Sequence, residues 1–276
     1  MAIDSIFKVM DQYFSLWDTN SFLSQFNKSG DTCYTIKQDL HFRNVLEASQ
    51  EVYIQSNSAF DPSIYPLVKK WGFGKNILDT NINIDSALAL VGFDRIQWQY
   101  DHSNTTVVKD HNQNIDFNSI AQGYTVDVIC EYLEDQGVES YMVEVGGELR
   151  IGKRKPNGEL WKIGVDKPIK EIQQRELMDT LKLEYAAVAT SGSYRKFYEK
   201  NGKKFSHTIN PKTGLPVDHN TLSVTVITQP ANCMKADAWA TTYMVLGSEN
   251  VANYKQNNMQ VISITDSLGE FVLKRH

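Results

Sequence analysis

Eleven residues, Ser206-His207-Thr208-Ile209-Asn210-Pro211-Lys212-Thr213-Gly214-Leu215-Pro216, constrain the fold of this chain more than any other stretch. Ser206 to Ile209 reads as the end of a short strand. Asn210 to Gly214 reads as a turn in which proline fixes one φ angle and glycine is free to take a positive one. His207 is therefore held on a rigid edge beside a tight loop, and Ile209, two residues on, faces the same side of that strand.

Around this stretch the apolar periodicity alternates between helix and strand. Ile6, Val9, Met10, Tyr13, Phe14 and Trp17 recur every three or four residues and predict a first amphipathic helix with that face buried. Leu40 to Tyr53 predicts a second, Asp85 to Val91 a short one stopped by Gly92, and Thr105 to Lys109 a strand. Ala59-Phe60-Asp61-Pro62 leads through Tyr65-Pro66-Leu67 to Trp71-Gly72-Phe73-Gly74, an ordered aromatic loop rather than a linker. Asp116 to Gly123 passes from a strand end into a helix with Asn118 or Ser119 as its cap and Gly137 as its stop. Tyr141, Val143 and Val145 alternate as a half-buried strand that runs into Gly146-Gly147, with Trp161 to Val165 expected as its hairpin partner and Asn157-Gly158 as a turn between them. Leu181 to Thr190 predicts a strand that turns into a short helix over Thr190-Ser191-Gly192-Ser193-Tyr194-Arg195. Leu222 to Ile227 is a further strand, Cys233 to Leu246 a helix stopped by Gly247, and Gln260 to Val272 a closing hairpin around Ser267-Leu268-Gly269.

With no βαβ repeat and no Gly-x-Gly-x-x-Gly, a doubly wound dinucleotide fold is not expected. The expectation is an α+β fold of mixed or antiparallel sheets with packed helices, a single domain over residues 1–276, and a cofactor cleft between subregions. The net charge of -5 and the pI near 5.7 give no broad basic surface, so nucleic acid is not an expected partner and any phosphate must be met locally. Three scattered cysteines give neither a disulfide framework nor a zinc spacing. No apolar run is long enough to predict a transmembrane segment.

Local chemistry is concentrated at three points. The helix start near Ser119 presents free amides, a ready anion site that any strand-to-helix junction shares. Hydroxyls, a glycine and Arg195 over 190–195 fit a phosphate cradle, and equally a capped helix with a surface arginine. Asp237 and Thr241 stand four apart on one helix face. Their hard oxygens suit Mg2+, although the same spacing occurs on any helix.

Five motifs in order resemble the ApbE family, the FAD:protein FMN transferases: Ala59-Phe60-Asp61-Pro62 with Trp71-Gly72-Phe73-Gly74, Asp116 to Gly123, Thr190 to Arg195, Ser206 to Pro216, and Ala236-Asp237-Ala238-Trp239-Ala240-Thr241. The resemblance implies an ApbE-like fold and transfer of FMN from FAD to a threonine or serine of an acceptor protein, with release of AMP. The acceptor would often belong to a membrane redox complex. It implies FAD contacts at Trp17, Ala59, Phe60, Asp61, Asp116, Gln122, Gly146, Gly147, Ser191, Arg195 and Ile209. It implies a magnesium site at Asp237 and Thr241, joined by backbone carbonyls at Ser119 and Ala240. His207, the only one of six histidines inside a dense motif, becomes the candidate base. Gln122 stands where the family often has a basic residue; it can hydrogen-bond a ligand but cannot offset phosphate charge. If water replaces the acceptor hydroxyl, the same site becomes an FAD pyrophosphatase yielding FMN and AMP; a weakened site would leave a non-catalytic flavin carrier. Family members are commonly exported, which implies a periplasmic or membrane-anchored location. Neither an export signal nor the family's Met-Gly-Thr strand is matched in this sequence.

Overall fold

The structure is a computed structural model that describes residues 2–37, 40–73, 83–101, 104–169, 176–193, 197–200 and 203–276. It divides into two compact units, residues 1–121 with 209–215, and residues 122–208 with 216–276.

The first unit holds helix α1 (Ala2–Phe14), α2 (Phe22–Lys28), strand β1 (Cys33–Lys37), α3 (Leu40–Gln55), α4 (Tyr65–Lys70), α5 (Ile84–Leu88), β2 (Gln97–Asp101) and β3 (Asn104–Val108). The strands form an antiparallel sheet in the order β1-β3-β2. Its core is aromatic: Phe42 of α3 stacks on Phe14 of α1 at 6.3 Å and meets Phe22 edge-on at 4.8 Å and Phe117 at 5.5 Å. Such offset and edge-on pairs stabilise beyond the area they bury. The apolar stripe of α1 is buried at Met10 and Phe14, but the helix ends at Phe14 and Trp17 is 61% exposed. Ser15 explains the stop, because its hydroxyl accepts the Trp17 and Asp18 amides and turns the chain out of the helix.

The second unit holds α6 (Ala121–Asp135), β4 (Met142–Val145), β5 (Glu148–Ile151), β6 (Trp161–Asp166), β7 (Leu177–Leu183), β8 (Ala186–Gly192), β9 (Phe197–Lys200), β10 (Lys203–Ser206), β11 (Thr221–Thr228), α7 (Cys233–Leu246), β12 (Met259–Ser267) and β13 (Glu270–Arg275). Six strands make an antiparallel sheet ordered β13-β12-β11-β8-β5-β4, and β6-β7 and β9-β10 are separate hairpins. One face of the large sheet joins Leu149, Ile151, Val188, Ile227 and Ile262 to Ile163, Val165, Leu181 and Leu183 of the β6-β7 hairpin. On the other face Ala187 packs with Val126 and Cys130 of α6 and Cys233 of α7. Covered on both sides, β8 reads Ala186-Ala187-Val188-Ala189 with every residue buried, a continuous apolar run rather than an alternation. The α+β class with antiparallel sheets is as the sequence predicts.

Three local expectations are corrected. Strand β4 pairs with β5, Val145 opposite Glu148, and not with Trp161 to Val165, which pairs with β7. Gly146 at φ 64° and Gly147 at φ 116° are the reason: two consecutive positive φ angles close a two-residue hairpin whose twist matches the strands. The run 181–190 is two strands in different sheets, broken at Glu184 and at Tyr185, whose φ is 46°. Thr190, Ser191 and Gly192 do not open a helix; they are strand residues paired with Thr225, Val224 and Ser223.

Candidate functional site

Helix α7 is the element that positions chemistry in the second unit. Asn232 caps it by accepting the Lys235 amide at 2.8 Å, and Gly247 ends it, the latter as the sequence predicts. Asp127 of α6 adds a second cap, accepting the Cys233 amide at 3.0 Å and the Met234 amide at 2.8 Å. A carboxylate there satisfies orphan donors and complements the positive helix end. With its start pinned, α7 runs buried along almost its whole length, packed on β8 and β11.

Asp237, one turn into α7, is only 6% exposed. Its Oδ2 accepts the backbone amide of Gly123 at 3.0 Å, in the first turn of α6. Close backbone approach makes this possible: a Cβ on Gly123 would lie 2.4 Å from the Cys233 carbonyl oxygen and 2.8 Å from the Asp237 Cβ. Neither neighbour is the loose end of a side chain, so the helices must part to admit even a methyl. Gly123→Ala is expected to destabilise the protein by about 1–3 kcal/mol and to move Asp237 off the α6 amide; urea unfolding measures the first effect.

Glu148, the first residue of β5, is the second buried carboxylate here at 8% exposure. Its Oε2 is buried with no hydrogen-bond partner. Gln122, close to Glu148, donates its side-chain amide to the Val145 carbonyl at 2.7 Å, across Gly146. Burial pushes both carboxyls above the ordinary range, and the charge of Asp237 pushes Glu148 further. Thr241, four residues after Asp237 and half-buried, shares its face of α7, and the Ala240 backbone lies between them.

In the first unit, Ala59, Phe60 and Asp61 are all buried. The Asp61 carboxylate accepts the Ser63 amide at 2.8 Å and the Ser63 hydroxyl at 2.6 Å, and burial raises its pKa to about 6. It thus caps the turn that follows. Asp116 donates its amide to the Pro62 carbonyl at 2.7 Å, stitching the two predicted segments together. Its Oδ1 accepts the Asn118 amide at 2.8 Å, so Asp116, not Asn118 or Ser119, caps the turn into α6; burial raises its pKa to about 6. Ser119 lies half-buried in that turn. The turn at 210–214 forms as read: Asn210 Oδ1 accepts the Lys212 amide at 2.9 Å, Gly214 takes φ 69°, and the Gly214 carbonyl accepts the Trp71 indole at 2.8 Å. That last bond ties the Trp71-Gly72 motif to the Asn-Pro-Lys-Thr-Gly motif.

His207 is half-buried just after β10, where the Ser206 hydroxyl accepts the Thr208 amide at 3.0 Å. Ile209 is buried. Gly146 and Gly147 are exposed at the β4-β5 turn, Ser191 is half-buried on β8, and Arg195 and Gly74 lie outside the described residues. The second unit therefore gathers Gln122, Gly146, Gly147, Asp237 and Thr241, and adds Glu148 and Asp127, which sequence reasoning missed. The only signal for Glu148 was its place directly after two turn glycines. For Asp127 it was a carboxylate three residues after Tyr124, inside the apolar face of a helix.

The sequence profile of the ApbE family matches residues 1–264. A curated relative, the FAD:protein FMN transferase of Vibrio cholerae, is 32% identical over 277 aligned positions, covering 95% of this chain and 78% of that protein. That of Haemophilus influenzae is 32% identical over 278 positions, 99% of this chain and 80% of the other. Among solved structures, the flavin transferase ApbE from Vibrio cholerae superposes with a TM-score of 0.85 at 30% identity, over 99% of this chain and 86% of that one. A match that spans nearly all of the sequence, and a fold shared at that level, show that this chain belongs to the ApbE family.

Proposed function

We propose that this chain is a magnesium-dependent FAD:protein FMN transferase that joins FMN through a phosphoester to a threonine or serine hydroxyl of an acceptor protein. The observation that carries the reading is the end-to-end likeness to proteins named for that activity. The metal reading is supported by the chemistry of the second unit. Asp237 is a buried carboxylate without an ion-pair partner among the described residues, and beside it Glu148 keeps a buried oxygen unpaired. Buried charges of one sign are costly unless a cation compensates them, and carboxylate with hydroxyl oxygen is a donor set that fits magnesium. Among the described residues no group of three or more His, Cys, Asp or Glu is arranged for a metal.

Asp237 and Thr241 would hold the ion. What magnesium supplies when bound is neutralisation of the charge that builds on the departing AMP phosphate. His207 takes the proton from the acceptor hydroxyl as its oxygen bonds to the FMN phosphorus; the phosphorus–oxygen bond to AMP breaks, and AMP leaves with that oxygen.

The test is mass spectrometry of a serine- or threonine-containing acceptor fragment incubated with the full chain, FAD and magnesium. A gain of one FMN less one water is expected, and His207→Ala is expected to slow it by about 10²- to 10⁴-fold. Free FMN and AMP with an unmodified acceptor would replace transfer by hydrolysis; intact FAD retained on the protein would replace it by carriage.

A further inference from the structure

Consecutive residues at the start of α6 reach the two buried carboxylates of the second unit. The Gly123 amide donates to Asp237 Oδ2 at 3.0 Å, and the neighbouring Gln122 side chain, close to Glu148, donates to the Val145 carbonyl at 2.7 Å. Glu148 begins β5 immediately after the Gly146-Gly147 turn, so its backbone is fixed by the sheet, and its Oε2 stays buried without a partner. Neither carboxylate forms an ion pair among the described residues, and the charges of Asp237 and Glu144 near Glu148 have the same sign as its own. Gln122 supplies hydrogen bonds but no charge. A side chain this buried, ending in an oxygen with nothing to accept, is an arrangement folding does not keep for stability alone.

We propose that Glu148 is a further ligand of the divalent cation held by Asp237, its unpartnered Oε2 facing that ion from β5 across the first turn of α6. Two strongly bound carboxylates instead of one would let the cation bind before FAD arrives, since the protein then neutralises the ion's charge without help from the pyrophosphate. The inference rests on the magnesium site proposed above and adds to it a residue from a different element.

Manganese(II), which takes the same oxygen ligands, serves as the probe, titrated into the full chain without FAD and followed by the electron-paramagnetic-resonance signal of the free ion. Glu148→Gln is expected to weaken binding by about tenfold or more, and Asp237→Asn to weaken it at least as far. Thermal melts of the same proteins separate ligation from structure. Without metal, Glu148→Gln should melt no lower than the parent, because one of two like buried charges is gone, whereas the gain in melting temperature on adding manganese should shrink. Glu148→Ala, which removes the carboxyl altogether, must show the same loss of affinity. If Asp237→Asn loses manganese while folded Glu148 variants keep parental affinity, the role of Glu148 is overturned and the metal site stands. If Asp237→Asn also binds as the parent does, the metal site itself falls.

Discussion

Asp237→Asn is expected to lower FMN transfer by about 10³-fold, equivalent to about 4 kcal/mol of transition-state stabilisation, in a protein that is still folded. Both halves of that statement follow from where the residue stands. The Asn Oδ1 can accept the Gly123 amide as Asp237 Oδ2 does now, and the two side chains have nearly the same volume, so the tight α6-α7 contact is kept. What disappears is one negative charge in a pocket that already contains Glu148. Burial of two like charges costs stability in the metal-free protein, so its melting temperature should be unchanged or higher. Catalysis is expected to run the other way, because the charge that is costly without a cation is the one proposed to hold it. Acceptor modification followed by mass spectrometry, beside a thermal melt on the same preparation, checks both. Transfer within tenfold of the parent would remove Asp237 from the metal site; a lower melting temperature would mean that the lost activity reports unfolding.

Helix α7 was legible in the sequence from end to end, since its span, Cys233 to Leu246, and its stop at Gly247 are local features. The turn at 210–214 was legible for the same reason, with Gly214 at a positive φ where proline and glycine predict one. What was not legible depends on partners distant in sequence. Gly146-Gly147 reads equally as a ligand approach or a turn, and only the pairing of Val145 with Glu148 decides it. Ser191 and Arg195 read as a helix start because hydroxyls and glycine favour caps, but sheet pairing with Val224 and Ser223 holds Ser191 and Gly192 extended. Glu148 was missed because a strand of alternating residues, Glu148-Leu149-Arg150-Ile151, reads as one buried face and one solvated face. In the first unit the Asp61 and Asp116 carboxylates cap turns, a use that their Asx spacing to Ser63 and Asn118 does predict.

Asp127→Ala is expected to cost about 3–5 kcal/mol of stability, a large share of the roughly 5–15 kcal/mol that holds a protein of this kind together. Asp127 Oδ1 pairs with Arg150 at 3.0 Å, and both side chains are largely buried. Arg150 keeps one further partner, Glu134 at 3.0 Å, and its Nε is already buried without one. Removing Asp127 therefore leaves a buried guanidinium short of charge, the costly way to break such a pair. The same substitution frees the Cys233 and Met234 amides at the start of α7, where loss of a cap alone is worth about 1 kcal/mol. An asparagine side chain at this position would still accept one amide, so Asp127→Asn should lose less. Urea unfolding of both variants gives the comparison. Because α7 carries Asp237 and Thr241, fraying at its start should also weaken manganese binding in the fraction that stays folded, which Asp237→Asn does by removing charge and Asp127→Ala would do by loosening the helix that bears it. A stability loss under about 1 kcal/mol for Asp127→Ala would show that Arg150 finds solvent or Glu134 sufficient, and that α7 is held by its apolar faces and the Asn232 cap alone.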